Sequence, residues 1–255
     1  MIVEPLFDGT AVLVPEMWAG SDWTAHRHLL DGDGRLVVPV GAFLVHVGER
    51  LVLLDAGVGE VNDEMFDGGH LLVSLAAAGV DPVDIDTIIV SHLHSDHMGW
   101  LERDGEAVFA NATIHIGAAD WTYFVDELGN GRRRADRLRT LSDHVSLIDH
   151  DGTVIAPGIT TRATPGHTPG HTSTVISSGK ERLMVLGDAL HCPAQLTEPE
   201  WQFVFDVDPV LAVNTREALL REAEQPGTAL LPCHFPGMQS ARLLPGTGAR
   251  RWVLG

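Results

Sequence analysis

Short apolar runs separated by turn-forming Gly, Pro and Asp recur along most of this chain, and that rhythm predicts many strands with a few helices between them. "AFLVHV" and "RLVLLDAG" flank Gly48 and Glu49 as a hairpin. "HLLVSLAAAG" has helical spacing and a glycine stop, after which "VDIDTIIVS" returns as a strand. "ATIHIGAADWTYFVDEL" reads as strand then helix, and "ITTRAT", "TSTVISS" and "RLMVLGD" read as three successive strands. "DPVLAVNTREALLREAEQ" is an amphipathic helix, followed by the strand "TALLPC". Sheets with interspersed helices imply a layered α/β arrangement.

Composition sharpens this picture. With 255 residues, 44% of them hydrophobic, and no linker-like stretch, the chain reads as one domain spanning residues 1–255. Only Cys192 and Cys233 are present, so no disulfide framework is expected, and both read as buried thiols. The first basic residue is Arg27, which makes the N-terminal stretch a poor signal peptide, and no run approaches the roughly 18 apolar residues of a membrane span. A soluble, cytoplasmic protein without a membrane partner is the expectation. A net charge of −18 would repel a phosphate backbone and argues against a nucleic-acid partner. The basic cluster "RRRADRLR", Arg132 to Arg139, can be read as a seat for an anionic substrate or partner, or more simply as a solvated helix face.

The chemistry is concentrated in "SHLHSDHMGW", which crowds His92, His94, Asp96 and His97 behind the apolar run "DTIIV". Three imidazoles and a carboxylate at the end of a buried strand would leave too many polar groups without partners unless a cation gathers them. Imidazole and carboxylate suit Zn²⁺. Further donors follow at wide spacing: His167 and His171 in "TPGHTPGH", Asp188 in "LGDALH" and His234 in "LLPCHFPG". Each stands at the end of an apolar strand or in a turn, which is how a sheet collects ligands from distant segments into one edge cleft.

Together these motifs resemble the metallo-β-lactamase superfamily, whose H-x-H-x-D-H signature is met by His92, His94, Asp96 and His97, with His171, Asp188 and His234 in the family's order. The resemblance implies an αββα sandwich, two mixed sheets flanked by helices, with a dinuclear metal site along one edge. It assigns His92, His94 and His171 to a first metal, Asp96, His97 and His234 to a second, and Asp188 to both. Asp55 in "LLDAG" would stand behind the ligands, and His167 would be structural or play the same supporting part. Two Zn²⁺ are the implied cofactors, with Mn, Co or Fe as other divalent occupants. Paired cations make a bridging water acidic enough to be a hydroxide near neutral pH, so the implied reaction is hydrolysis.

Within the superfamily, "GDALH" and "FDVDP" resemble the branch containing methyl parathion hydrolase and quorum-quenching lactonases. The substrate implied is a small neutral or apolar lactone or ester, as in N-acyl homoserine lactones. Alternatives are a phosphotriesterase of the methyl parathion hydrolase type and a mononuclear iron enzyme similar to persulfide dioxygenases. Asp96, Asp188 and His191 are the candidate catalytic residues. Where the best-known lactonases carry a tyrosine, this chain has His191, either a proton donor or a residue packed beside the site; its only tyrosine, Tyr123, lies far away in sequence. Trp18, Trp23, Trp100 and Trp121 are candidates for an apolar pocket or for ordinary packing. A homodimer is compatible with these features and not required by them.

Overall fold

Two seven-stranded sheets form the centre of the computed structural model, which describes residues 1–129, 133–244 and 250–255. The first sheet contains β1 (Ile2–Leu13), β2 (Leu36–Val47), β3 (Arg50–Leu54), β4 (Phe66–Asp67), β5 (Thr87–Val90), β6 (Thr113–Gly117) and β7 (Val145–Ile148). Their order across the sheet is β7-β6-β5-β3-β2-β1-β4. The second contains β8 (Val154–Ala156), β9 (Ile159–Ala163), β10 (Thr172–Ser178), β11 (Glu181–Val185), β12 (Thr228–Leu231), β13 (Ala241–Leu244) and β14 (Arg251–Leu254), neighbours in chain order. Helices α1 (Leu71–Ala77), α2 (Ser95–Met98), α3 (Ala118–Trp121) and α4 (Arg133–Thr140) accompany the first sheet, and α5 (Pro209–Ala223) the second.

Side-chain alternation explains the layering. Phe43, Val45, Val52, Leu54 and Ile89 of the first sheet meet Ile159, Ile176, Val185 and Leu231 of the second in one apolar layer. Their neighbours on the opposite face, Leu44, Leu53, Ile88 and Ile114, pack against Leu71, Leu75, Ala135 and Leu138 of the helices. Met184 and Leu230 likewise pack against Leu219, Leu220 and Ala223 of α5. The result is the αββα sandwich. Each fully buried Val, Leu or Ile contributes about 1.5–3 kcal/mol, so truncating Ile89 to Ala in the inter-sheet layer would cost about 2–5 kcal/mol.

Two local details position the site. The β2–β3 hairpin pairs Val47 with Arg50 and turns through Gly48, whose φ of 63° suits a tight two-residue connection. Strand β5 runs parallel to both β3 and β6 and is buried at all four positions, so the chain emerges at its carboxyl end, where crevices form in sheets of this type. Strand β1 carries a bulge between Phe7 and Gly9. There the buried Asp8 accepts from the backbone N–H groups of Val58 (2.7 Å) and Leu71 (2.7 Å) and from Trp100 Nε1 (2.9 Å), tying the loop after β3 to the start of α1. Among the described residues, no helix is long and apolar enough to cross a membrane.

Candidate metal centre

The six-residue stretch His92–His97 leaves β5 and enters α2, which turns Asp96 and His97 toward the other sheet. Asp55, at the end of β3 with a left-handed φ of 62°, accepts from Ser91 N (2.7 Å), Ser91 Oγ (3.0 Å) and His97 Nδ1 (2.9 Å). From the second sheet come His167 in the turn between β9 and β10, Asp188 after β11 and His234 after β12. Gly187 is required before Asp188. Its φ is +54°, and a Cβ there would lie 2.7 Å from both His171 Nε2 and Ser91 Cβ.

Two of the donor groups found among the described residues share Asp188: His92, His94, His167 and Asp188, and Asp96, His97, Asp188 and His234; within each, one atom per residue lies within 4.8 Å of the others. Asp188 belongs to both. Its Oδ2 lies 3.8 Å from His92 Nε2 and 3.5 Å from His167 Nε2, whereas its Oδ1 lies 3.2 Å from His97 Nε2 and 3.0 Å from His234 Nε2. Asp96 Oδ2 is 3.6 Å from both His97 Nε2 and His234 Nε2. Donors around a tetrahedral zinc with bonds near 2.1 Å stand about 3.4 Å apart, so the spacing fits. The buried His92 Nε2, His97 Nε2 and Asp188 Oδ1 have no hydrogen-bond partner, a cost that a cation between them removes.

The charge states agree with that role. Burial holds His92 and His94 well below the ordinary imidazole range, so both are neutral and offer lone pairs. Burial also opposes the Asp188 carboxylate, but His97 and His234 hold it ionised, well below the usual carboxylate range. Burial works against protonated His97 and His234 too, yet Asp188 and Asp96 raise both; a cation in that set would take the place of the proton.

The structure brings together a donor set that differs from the expected one at one position. His171 does not face the other donors with a free nitrogen: its Nε2 accepts from Asp188 N (3.0 Å), leaving Nδ1 to donate to Thr164 Oγ1 (2.8 Å). His167, expected to play a structural or supporting part, lies among the donors instead. Its Nε2 stands 2.9 Å from His94 Nδ1, and its Nδ1 bonds Asp206 Oδ1 at 2.9 Å. The other ring nitrogens are oriented in the same manner, His92 Nδ1 by Ser91 Oγ (3.1 Å) and His234 Nδ1 by Pro39 O (2.9 Å). Burial pushes His171 down to about 3, consistent with a neutral ring inside the structure.

Supporting residues missed in the sequence sit behind this layer. Asp120 accepts from Leu93 N (3.1 Å), Thr168 Oγ1 (2.9 Å) and Gly170 N (2.5 Å), joining the two histidine-bearing loops; burial pushes its carboxyl up to about 6 against those donors. The basic cluster is not simply a solvated face: Arg134 borders the cleft above the donors, and three of its arginines reach backbone carbonyls. Arg134 Nη1 donates to Leu93 O (3.0 Å), Arg137 pairs with Glu102 and donates to Gly99 O (3.1 Å), and Arg139 donates to Val125 O (2.5 Å). Arg132 lies outside the described residues. Cys192 and Cys233 are buried free thiols, raised by burial, Cys192 to about 12.

Above the donors opens a cleft of about 280 Å³ with Leu13, Val38, Met65, Phe66, Phe124 and Phe205 in its walls. The tryptophans considered from sequence do not border it. Trp18 and Trp23 pack with Trp201 and Phe203 beside it, while Trp100 and Trp121 pack beneath the helices. His191 does border it, with Nε2 3.6 Å from Asp188 Oδ2, its ring 4.0 Å from that of Phe203, and neither ring nitrogen hydrogen-bonded.

Comparison with known proteins agrees with this geometry. Residues 35–234 match the Metallo-beta-lactamase superfamily. An N-acyl homoserine lactonase of Bacillus cereus is 30% identical over 169 residues, which are 59% of this chain and 63% of that protein, so the match spans somewhat less than two thirds of the relative's length. An N-acyl homoserine lactonase of Bacillus thuringiensis is 29% identical over 206 residues, 73% of this chain and 77% of that protein. Among solved structures, AidC, a dizinc quorum-quenching lactonase in complex with a homoserine product, superposes with a TM-score of 0.86 at 25% identity, covering 98% of this chain and 93% of that one.

Proposed function

Because this chain belongs to the metallo-beta-lactamase superfamily, we propose that it is a dinuclear zinc hydrolase that opens lactones of the N-acyl homoserine class. The observation that carries this reading is Asp188, whose two oxygens face two separate donor sets at the floor of an apolar cleft. His92, His94 and His167 would hold one zinc, Asp96, His97 and His234 the other, and Asp188 both. The relatives named as N-acyl homoserine lactonases, and the dizinc lactonase structure, support zinc and a lactone substrate. A mononuclear iron enzyme would use only one donor set and leave the other without a purpose.

When bound, the zinc pair supplies a water acidic enough to attack at neutral pH and a Lewis acid for the substrate carbonyl. The chain does the rest. The apolar walls take up an acyl chain and keep bulk water from the ester bond. As water adds to the carbonyl carbon, the ring C–O bond breaks and leaves an alkoxide, which must gain a proton. His191, held neutral by burial and bordering the cleft, keeps one N–H to give. The products are a carboxylic acid and an alcohol on one molecule.

Metal analysis of protein purified without chelator, joined to a hydrolysis screen across N-acyl homoserine lactones, aryl esters and phosphotriesters, tests this. About two zincs per chain and preferred turnover of lactones are expected. One iron per chain, or two zincs with phosphotriesters preferred and lactones untouched, would replace it with one of the alternatives.

A further inference from the structure

The repeat "TPGHTPGH" offers two histidines in the same local sequence, and only a feature outside the repeat can decide which one meets a metal. We propose that the buried pair Asp206 and Arg216 is the positioning device that makes the choice: Asp206 fixes His167 with its proton on Nδ1, so that Nε2 presents its lone pair to the first metal. This rests on the dinuclear reading above.

The geometry runs outward from the ring. His167 Nδ1 meets Asp206 Oδ1 at 2.9 Å, and a carboxylate there can only accept, so the proton stays on Nδ1. The other oxygen, Oδ2, accepts from Phe203 N at 3.0 Å. The carboxylate is inaccessible, and its countercharge, Arg216, is 1% exposed, with Nη2 3.9 Å from Oδ2. Arg216 is held in turn by Ala189 O (2.8 Å), Pro199 O (2.7 Å) and Trp201 O (2.8 Å), so it ties the segment after Asp188 to the segment leading into Phe203. The backbone adds register: Val207 N donates to His167 O (3.0 Å) and Asp208 N to Gly166 O (2.9 Å). His171 receives the opposite instruction, because the Asp188 N–H occupies its Nε2.

Asp206→Asn separates this role from packing. Phe203 N and the Arg216 guanidinium both demand an acceptor at Oδ2, so the amide oxygen goes there and the NH₂ faces His167 Nδ1. That amide donates, forces the proton onto Nε2 and removes the ligand lone pair, just as an Asn behind a catalytic histidine imposes the wrong tautomer. Asparagine nevertheless keeps the volume and the Phe203 bond.

The test is chelator competition on the zinc-loaded full chain, with the thermal midpoint and near-ultraviolet circular dichroism recorded in parallel. In Asp206→Asn, one of the two zinc sites should weaken roughly 10- to 100-fold while the other keeps its affinity, and Asp206→Ala should look similar. A packing role would instead spare Asn and impair Ala, and that result, or two wild-type affinities in Asp206→Asn, would overturn the proposal. If the variants do not fold, nitrogen-15 histidine spectra of the zinc-loaded wild type decide: His167 protonated at Nδ1 and metal-bound at Nε2 is expected, and binding through Nδ1, or through His171, overturns it. Wild-type protein that holds a single metal would instead refute the dinuclear reading itself.

Discussion

His191→Phe removes the proposed proton donor at a modest cost to the fold. Neither ring nitrogen has a hydrogen-bond partner, so no bond is lost, and a phenyl ring can keep the contact with Phe203, now 4.0 Å between centroids. The phenyl ring is somewhat larger than the buried imidazole it replaces, a change that costs about 1–3 kcal/mol. Catalysis should suffer as well. Burial holds His191 neutral against the opposing pull of Asp188, with the Arg216 charge acting in the same direction as burial, and a neutral imidazole is a weaker acid than an imidazolium. The loss should therefore sit at or just below the low end of acid–base effects, roughly 10- to 100-fold in kcat, or about 1.4–2.7 kcal/mol of barrier. The assay compares a lactone, which leaves an aliphatic alkoxide, with an activated aryl ester, whose phenolate needs little protonation, at matched zinc content. The lactone should lose 10- to 100-fold and the aryl ester much less. Equal losses on both would indicate a positional effect, and no loss on either would leave His191 a bystander.

Zinc content should separate the two histidines of the repeat. His167→Ala is expected to retain about one zinc per chain, and His171→Ala to keep both while losing about 1–3 kcal/mol of stability, because the buried Asp188 N–H loses its acceptor. The opposite order would restore His171 as the ligand. Asp188→Asn should lower lactone turnover by several orders of magnitude with the fold intact, and near-normal turnover in a fully metallated variant would refute the shared carboxylate. His171 also sets a pH dependence. Its folded value near 3 lies below the unfolded 6.5, so the unfolded chain binds the extra proton and this contribution to stability, full above pH 6.5, is lost as pH falls. Between pH 6.5 and 5 the wild type should lose about 2 kcal/mol more than His171→Gln in urea unfolding, at about 1.4 kcal/mol per pH unit; equal losses would mean that His171 is not buried as a neutral ring.

Much of the sandwich was legible because its strands are local and strongly patterned. "DTIIV" ends where β5 does, and the hairpin at Gly48, the helices beginning at Leu71 and Pro209 and the three strands from Ile159 to Val185 all form where the sequence predicts them. The twelve-residue β1 was not read, since Pro5, Asp8 and Gly9 break its alternation; its bulge and the donors around Asp8 make sense only once β2, α1 and Trp100 are in place. The donor types at the site were legible from H-x-H-x-D-H, "LGD" and "PCH", but the choice within "TPGHTPGH" was not. Spacing treats both histidines alike, and the contacts that distinguish the two rings come from Asp206, 39 residues beyond His167, and from the Asp188 backbone. The arginines of α4 misled for a similar reason: their carbonyl partners Leu93, Gly99 and Val125 lie on other segments, which no helical pattern announces.

The most direct measurement is a zinc titration of the chelator-stripped full chain, with ring opening of an N-acyl homoserine lactone followed by proton release and bound zinc counted at each point. If Asp188 joins two metals into one catalytic unit, activity should stay low through the first equivalent and rise with the second, reaching its plateau at about two zincs per chain. Full activity at a single equivalent, or no ring opening by a chain that holds both, would contradict it.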